Sequence, residues 1–459
     1  MSGKIMMNKG RFLKAALSGT VLLTALTLWG CGTKGYDDIT AARNAALDAA
    51  ITTTKAPAII DAATLKGWID EGKLNAPAGS LDRVALVSVT TLKNYSTASK
   101  KHIPGAALFD SSSELYATRE EGLGPVGSMV PSGAQIDAVI KKLGIDANTT
   151  IVLTIPKAST DSEHYPQSRA YFTFRYWGFD RNRVKILNGG DDAWDIAAAA
   201  DTTYGPLTKS APVITPSTYS VAKNKAGLKD VLRYSVTELI ARVDALIADS
   251  TQLNSWQMIE ARGATTTPYI TNAFRTKDPT GGTAHAMMFL GDRVNGESTR
   301  NRLYPSKADL VTRMATLPLL NGAENAFLSP DKKTIAMCGS AISASPSFVL
   351  FDAVLAVPEG QIMLYDGSSS QWNGYSNARI AAANPTATTA QIEAWAFDTR
   401  IQGTLPTTGS LATLLSGYAL NAPSSGLMNQ IETADKAYMA PAAATGTTTS
   451  TGGSAGGGC

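Results

Sequence analysis

The feature that most constrains the fold is an internal repeat that joins a short apolar run, a tight turn and a tryptophan. The segment LNGGDDAW at 187–194 matches LYDGSSSQW at 364–372. In both halves of the chain, apolar β-branched runs alternate with segments of helical spacing, which is typical of βαβ units that build a parallel sheet. The sequence therefore predicts an α/β domain of about 150 residues that occurs twice.

The predicted strands are short runs rich in Val, Ile and Leu, and the predicted helices place apolar residues three and four positions apart. The strands cover 83–89, 150–155, 184–187, 256–262, 334–337 and, with its turn, 361–368. The helices cover 64–69, 132–143, 168–178, 235–248, 305–314 and 348–357, with two short ones at 391–397 and 411–420.

Length and charge bound the class of protein. With 459 residues, 44% apolar and 17% charged, the chain is long enough for two or three globular domains. The net charge of +3 includes four basic residues before position 15, and without them 37 basic residues stand against 38 acidic ones. This near-neutral balance gives no indication of a nucleic-acid partner, and we expect none.

The N-terminus predicts export. A basic segment ends at Lys14, an apolar stretch covers 15–28, and Leu28-Trp29-Gly30-Cys31 follows. This tetrapeptide resembles the lipobox of bacterial lipoproteins, in which the cysteine is lipidated and becomes the first residue. We expect Cys31 to anchor the chain to the cell envelope, at the outer membrane, on its periplasmic or outer face. An uncleaved membrane anchor is the alternative.

Cys338 opens a loop of small residues between a predicted strand and a predicted helix. Ser345 suits the N-cap of that helix and Pro346 its first position. Loop N–H groups and the positive end of a helix dipole both favour the thiolate, which is the reactive form of cysteine. The alternative is a buried, inert cysteine at the end of a strand.

Four motifs in a fixed order resemble the rhodanese superfamily, in the tandem form shared by thiosulfate and 3-mercaptopyruvate sulfurtransferases. The resemblance covers 57–376 and implies two tandem rhodanese-like α/β domains, each a mainly parallel sheet flanked by helices, of which only the second carries the cysteine. The motifs are HIPGA at 102–106, SRA at 168–170 with RYWG at 175–178, NGG at 188–190 with Trp194, and YDGS at 365–368 with Trp372.

The resemblance also implies a chemistry, sulfur transfer through a Cys338 persulfide. A small anionic donor would supply sulfane sulfur, a thiol or cyanide-like acceptor would remove it, and no cofactor or metal would be needed. Arg262 and His102 would help to bind the donor, and Ala341 stands where the family has glycine. The loop residues implied to cradle the sulfur are Gly339, Ser340, Ala341, Ile342 and Ser343.

Several of these residues have structural alternatives. Arg262 could form an ion pair with Glu260 or Asp278, Ser340 could cap a turn, and His102 could stabilise its own turn. The second copy of the HIPGA turn departs from the family pattern at His285. The histidines are too scattered to give metal-ligand spacing.

The resemblance and the composition together predict a domain plan. The chain divides into a lipoprotein signal peptide (1–30), a tether (31–56), a rhodanese-like domain without the cysteine (57–200), a linker (201–226), a rhodanese-like domain with the active-site loop (227–376), a C-terminal helical extension (377–440) and a disordered Gly/Thr/Ser-rich tail (441–459).

This plan is similar to that of rhodanese-like lipoproteins associated with selenite or tellurite reduction and extracellular electron conduits. The similarity suggests selenium or tellurium as alternatives to sulfur. It also suggests a second class of function, a non-catalytic accessory lipoprotein of an outer-membrane redox complex. The terminal Cys459 on its flexible tail could relay sulfur from Cys338 or be incidental.

Overall fold

The computed structural model describes residues 45, 49–96, 101–121, 124–157, 164–224, 226–248, 251, 255–261, 303–315, 328–372 and 429–440. The chain divides into the compact units Met1–Thr52 and Thr53–Cys459, and the elements below all lie in the second. The predictions for Cys31, Arg262, Cys459, the signal peptide, the tail and the helices at 391–397 and 411–420 fall outside the described residues.

The elements follow the alternation expected from the sequence. The strands are β1 (Ile59–Ile60), β2 (Arg83–Thr90), β3 (Ala107–Asp110), β4 (Ala117–Glu121), β5 (Gly124–Met129), β6 (Thr149–Thr154), β7 (Val184–Leu187), β8 (Trp256–Glu260), β9 (Lys333–Met337) and β10 (Ile362–Leu364). The helices are α1 (Ala62–Asp70), α2 (Leu92–Ser96), α3 (Gly133–Lys142), α4 (His164–Tyr176), α5 (Gly190–Ala200), α6 (Val236–Ala248), α7 (Lys307–Met314), α8 (Ser345–Val349), continued by a π-helical turn (Leu350–Leu355), and α9 (Gln430–Met439). Short 3₁₀ turns lie at Thr53–Lys55, Arg181–Arg183, Thr202–Tyr204, Val221–Lys223 and Asp230–Leu232.

Two parallel sheets carry the fold. The first has the order β1-β7-β6-β2-β3 and the second the order β10-β9-β8. We call residues 53–200 the first lobe and the described residues within 228–372 the second lobe. Because β7-β6-β2 and β10-β9-β8 repeat one arrangement, the predicted α/β class, with mainly parallel sheets flanked by helices, is confirmed.

Backbone hydrogen bonds align the two lobes residue by residue. The amide of Asp191 donates to the carbonyl of Ile155 over 2.9 Å, and the amide of Ser369 donates to that of Cys338 over 3.0 Å. Ile155 in the first lobe is therefore the structural equivalent of Cys338.

The lobes pack together through α4. The Phe172 and Phe348 rings meet edge to face at 5.1 Å, and the Tyr171 hydroxyl donates to Asp352 over 2.7 Å. Arg175 and Arg181 also bind this carboxylate, over 2.9 and 2.8 Å. One continuous apolar core therefore extends through both lobes and includes Cys338.

Each lobe also holds the turn of the other. The side chain of Asn188, after β7, accepts from the amide of Tyr304 over 2.8 Å. Asp366, after β10, accepts from the amide of Val130 over 2.9 Å. These reciprocal contacts place the end of β10 beside the β4–β5 hairpin of the first lobe.

Several elements were not predicted from the sequence, and they include the β4–β5 hairpin and α9 as well as β1, β3, α2 and α5. The hairpin binds α9 through a bidentate pair in which Arg119 donates to both oxygens of Asp435 at 2.7 Å. Of the predicted C-terminal extension, 377–440, only 429–440 lies in the described part. No helix in the described ranges has both the length and the apolar character required to cross a bilayer.

The helix after Cys338 also differs from the prediction. It begins at Ser345 rather than Phe348, and from Leu350 it continues as a π-helical turn that ends at Ala356, where φ is +56°. Ser345 is therefore not the N-cap. Its hydroxyl donates to the Ala341 carbonyl over 2.7 Å and so ties the helix start to the preceding loop.

Candidate functional site

Cys338 lies at the carboxyl end of β9, the central strand of the second sheet. Its side chain is 2% exposed and forms no disulfide. Its amide donates to the Ser368 hydroxyl over 3.2 Å, and its carbonyl accepts from the Ser369 amide. These contacts fix the cysteine backbone against the turn that follows β10.

The same turn holds the next residue. The Gly339 carbonyl accepts from the Ser370 amide at 3.0 Å and from the Ser370 hydroxyl at 2.6 Å. A hypothetical Cβ at Gly339 would have no atom within 4 Å. The start of the loop is therefore fixed by hydrogen bonds on one side and open on the other.

We call residues 338–344 the cysteine loop. Beyond Cys338, none of its amides, from Gly339 to Ala344, donates to an acceptor among the residues that the structure describes. Gly339, Ser340, Ile342 and Ser343 are half-buried, so this stretch is not sealed inside the core. Consecutive unpaired amides next to a sulfur form a site for an anion.

Ala341 shapes this loop from a left-handed conformation, with φ of +60°. Its side chain is fully buried. A Cβ in this region costs roughly 1–2 kcal/mol, and glycine would avoid the cost. Ala341 therefore holds a backbone conformation that glycine adopts at lower cost.

Two first-lobe side chains carry charge and hydrogen-bonding groups that bear on Cys338. Arg169 stands in the SRA motif, but the sequence assigned no site role to it or to Tyr116. Arg169 on α4 is fully buried, and its guanidinium lies 5.9 Å from the centre of the Tyr116 ring. A negative charge on the Cys338 sulfur would raise the pKa of both residues. Burial raises the pKa of Tyr116 to about 12, with Arg169 acting against the rise. Tyr116 therefore stays protonated at neutral pH and can donate a hydrogen bond.

Asp366 connects these residues to a buried ionic cluster. Arg233 pairs with it at 2.8 Å and Arg169 at 3.4 Å, and Arg233 also binds Glu121 and Glu432. Burial works to raise the pKa of Asp366, but the two guanidinium groups outweigh it and the pKa is lowered. Burial raises the pKa of Glu121 despite the bond from Arg233.

The described contacts of His102 fit a structural role, in which the side chain stabilises its own turn. The ring stacks on Tyr95 at 3.9 Å, and its nitrogens lie 3.2 Å from the carbonyls of Tyr95 and Ser210. Its backbone pairs with Thr208 in both directions. His102 thus ties the linker to the first lobe, and a contact with substrate stays a prediction.

Of the predicted site residues, the structure brings together Cys338, Gly339, Ser340, Ala341, Ile342 and Ser343. Arg262 lies outside the described residues, so its role as a donor-binding residue stays a prediction. Within the described ranges there is no group of three or more His, Cys, Asp or Glu side chains able to hold a metal ion.

Comparison with known proteins gave only distant structural likeness. No family model matches the chain, and no curated protein matches it. It is similar to Tum1 from Saccharomyces cerevisiae, with 16% identity, 69% of this chain and 95% of that one covered, and a TM-score of 0.47. The sulfur transferase subunit of yeast mitochondrial complex I is 20% identical, with 68% of this chain and 95% of that one covered and a TM-score of 0.44. YnjE is 17% identical, with 72% of this chain and 67% of that one covered and a TM-score of 0.44. These scores are too low to support a function, which we infer from the residues themselves.

Proposed function

We propose that this chain is a sulfurtransferase that moves sulfane sulfur from a small anionic donor to a thiophilic acceptor through a persulfide on Cys338. The observation that carries the proposal is a run of amides, from Gly339 to Ala344, that have no acceptor among the described residues and that begin directly after the cysteine. Fixed backbone donors stabilise a thiolate and the terminal sulfur of a persulfide without reorganising during the reaction.

The transfer is a two-step nucleophilic exchange. The Cys338 thiolate attacks the outer sulfur of a donor such as thiosulfate, a new S–S bond forms, and the electron pair of the broken S–S bond leaves with sulfite. An acceptor such as cyanide then attacks the terminal persulfide sulfur, leaves as thiocyanate, and returns Cys338 to the thiolate. Neither step needs an external oxidant or reductant.

The test compares wild type with Cys338→Ser in the conversion of thiosulfate and cyanide to thiocyanate, and in the same assay with 3-mercaptopyruvate. We expect turnover by wild type and none above background by the variant. Equal, near-zero rates for both proteins would contradict a transferase function.

A non-catalytic accessory role is the second candidate, and the 2% exposure of Cys338 is the observation that favours it. A thiol with so little access needs the loop to admit the donor. Labelling of native protein with a small thiol reagent separates the two: rapid modification of Cys338 supports the transferase, and modification only on unfolding supports the accessory role.

The cellular setting is also a proposal, which the sequence alone supports. We infer lipidation of Cys31 in a bacterial envelope, partnership with an outer-membrane redox complex, and selenium or tellurium as possible cargo. Mass spectrometry of protein purified from its own envelope would test acylation at Cys31 and any chalcogen carried by Cys338. Unchanged turnover after Cys459→Ser would exclude a relay through the tail.

A further inference from the structure

Two hydrogen-bond donors of Arg169 have no partner in the part of the chain that the structure describes. Its side chain is fully buried on α4. Nη2 donates to the Ser128 carbonyl over 3.0 Å and to Asp366 over 3.4 Å. Nε and Nη1 are buried as well, and neither has a hydrogen-bond partner among the described residues. Leaving charged donors buried and unpaired costs free energy, so such an arrangement needs a reason.

Arg175, six positions further along the same helix, shows what a satisfied arginine looks like here. Its Nε donates to Asp352 over 2.9 Å, its Nη1 to the Phe179 carbonyl over 2.6 Å, and its Nη2 to Glu359 over 2.9 Å. Both side chains are fully buried. The unused donors of Arg169 are therefore not a general property of buried arginines in this helix.

The position of Arg169 relative to Cys338 follows from the turn after β10. Asp366 in that turn binds Arg169, and Ser368, two residues later, accepts the Cys338 amide over 3.2 Å. A negative charge on the Cys338 sulfur would also raise the pKa of Arg169. Arg169, although it comes from the first lobe, is therefore tied to the turn that holds the backbone of Cys338.

We propose that an N–H of Arg169 without a partner among the described residues binds the oxyanion of the sulfur donor, so that the first lobe selects donors in which a sulfonate or carboxylate lies next to the sulfane sulfur. Nε and Nη1 lie on opposite edges of the guanidinium, so one of them donates a single charge-assisted hydrogen bond to such a group. This assignment rests on the proposed transferase function and adds a specificity residue to it, independent of Arg262.

The assignment also says where charge goes during transfer. When the Cys338 thiolate takes the outer sulfur of thiosulfate, the electron pair of the broken bond moves onto the departing sulfite. The guanidinium of Arg169 would face that growing charge in a water-poor environment, where fixed donors are most effective. A donor without an oxyanion, such as inorganic polysulfide, would gain nothing from it.

The experiment compares full-length wild type, Arg169→Lys and the matched control Arg175→Lys with two donors, thiosulfate and inorganic polysulfide. Lysine keeps the charge but loses the planar fork. We expect Arg169→Lys to lower kcat/KM for thiosulfate by about tenfold or more, the loss of one charge-assisted hydrogen bond, and to change that for polysulfide less than about twofold. Arg175→Lys should lower kcat/KM equally for both donors or for neither, while it reduces thermal stability.

The outcomes separate this inference from the proposed function. A wild type that forms no persulfide from either donor overturns both. A wild type that uses both donors, with an unchanged thiosulfate-to-polysulfide ratio in Arg169→Lys, overturns only the role of Arg169. If Arg169→Lys does not fold, ¹⁵N-arginine-labelled wild type is titrated with sulfite. The Arg169 Nε–H resonance should then shift and that of Arg175 should not, and the reverse or no shift contradicts the assignment.

Discussion

The two lobes repeat one fold but carry different groups at the same point. In the first lobe Ile155 ends the central strand, and the Asp191 amide bonds back to it. In the second lobe Cys338 and Ser369 hold these two places. The first lobe therefore has a buried carboxyl where the second has a hydroxyl, and an alkyl group where the second has a thiol. The comparison teaches that the backbone arrangement was repeated while the thiol is present in only one of the two equivalent positions.

The turn residues differ in the same sense. Asn188 of the first lobe binds the Tyr304 backbone and is neutral, whereas Asp366 of the second lobe is held by Arg169 and Arg233. The turn after β10, which also holds the Cys338 backbone, is therefore bound by two guanidinium groups, one from each lobe. If these side-chain differences, rather than the shared backbone arrangement, determine function, then changing them should change activity or stability.

The largest expected effect comes from moving the thiol between lobes. The double variant Ile155→Cys/Cys338→Ser should lose at least about a thousandfold in thiocyanate production relative to wild type, as the loss of a nucleophile typically does. The thiol would then lie at position 155, whose carbonyl accepts from the Asp191 amide. The Asp191 carboxyl has one oxygen without a partner among the described residues. Steady-state assays measure this, and activity near wild type would show that the frame alone is sufficient.

The next largest effect concerns the buried ionic cluster around Arg233. Arg233→Met should lower the free energy of unfolding by about 3–5 kcal/mol, because it leaves Glu121, Asp366 and Glu432 without their shared partner. Urea unfolding measures this loss.

The matched control is Lys142→Met, which breaks the ion pair between Lys142 and Glu114, whose side chains are 42% and 27% exposed. It should lower the free energy of unfolding by less than about 1 kcal/mol. Equal losses for both variants would remove the buried cluster from our explanation of how the turn at Asp366 is held.

The stability of the protein should depend on pH through Asp191, since its second-lobe counterpart, Ser369, has no carboxyl to ionise. Burial raises the pKa of Asp191 well above its usual value, with the Thr154 hydroxyl acting against the rise. The folded protein therefore keeps a proton that the unfolded chain loses above pH of about 4, and wild-type stability falls as the pH rises through this window. Asp191→Asn should remove that fall, so it gains on wild type by up to about 1.4 kcal/mol per pH unit.

Urea unfolding between pH of about 4.5 and 7 checks this prediction, since Asp191 dominates the difference between the two proteins. Asp70→Asn is the control, because the Asp70 side chain is 59% exposed. Parallel stability curves for wild type and Asp191→Asn would show that Asp191 ionises normally in the folded protein.

The smallest effect concerns the shape of the cysteine loop. Ala341→Gly relieves a left-handed alanine but adds entropy to the unfolded chain, so we expect a gain of about 0.5 kcal/mol in stability. The same change at Ala356, where φ is +56°, is the control, because it lies outside the loop. If turnover changes only for Ala341→Gly, the loop conformation contributes to the reaction; thermal unfolding and cyanide assays distinguish the cases.

The sequence predicted the parts of this molecule that depend on local pattern. The apolar β-branched runs at β2, β6 and β9 form buried strands. The small residues after Cys338 form a loop whose amides have no acceptor among the described residues. Periodicity and residue size determine such features over a few positions, so no knowledge of distant contacts is needed.

The parts that the sequence did not predict depend on distant contacts. Arg169 and Asp366 are 197 positions apart and meet only because the lobes pack together. The β4–β5 hairpin carries Arg119 and Glu121, which pair with Asp435 and Arg233 from distant parts of the chain. A buried charge has no local signature in one sequence, because its partner can lie anywhere in the chain.

The most direct test uses a single variant that carries a cysteine at both equivalent positions. Ile155→Cys is incubated with thiosulfate, and each cysteine peptide is weighed by mass spectrometry. Our account predicts one added sulfur atom on the Cys338 peptide and none on the peptide that contains position 155. No added sulfur on Cys338, or equal addition at both positions, would contradict it.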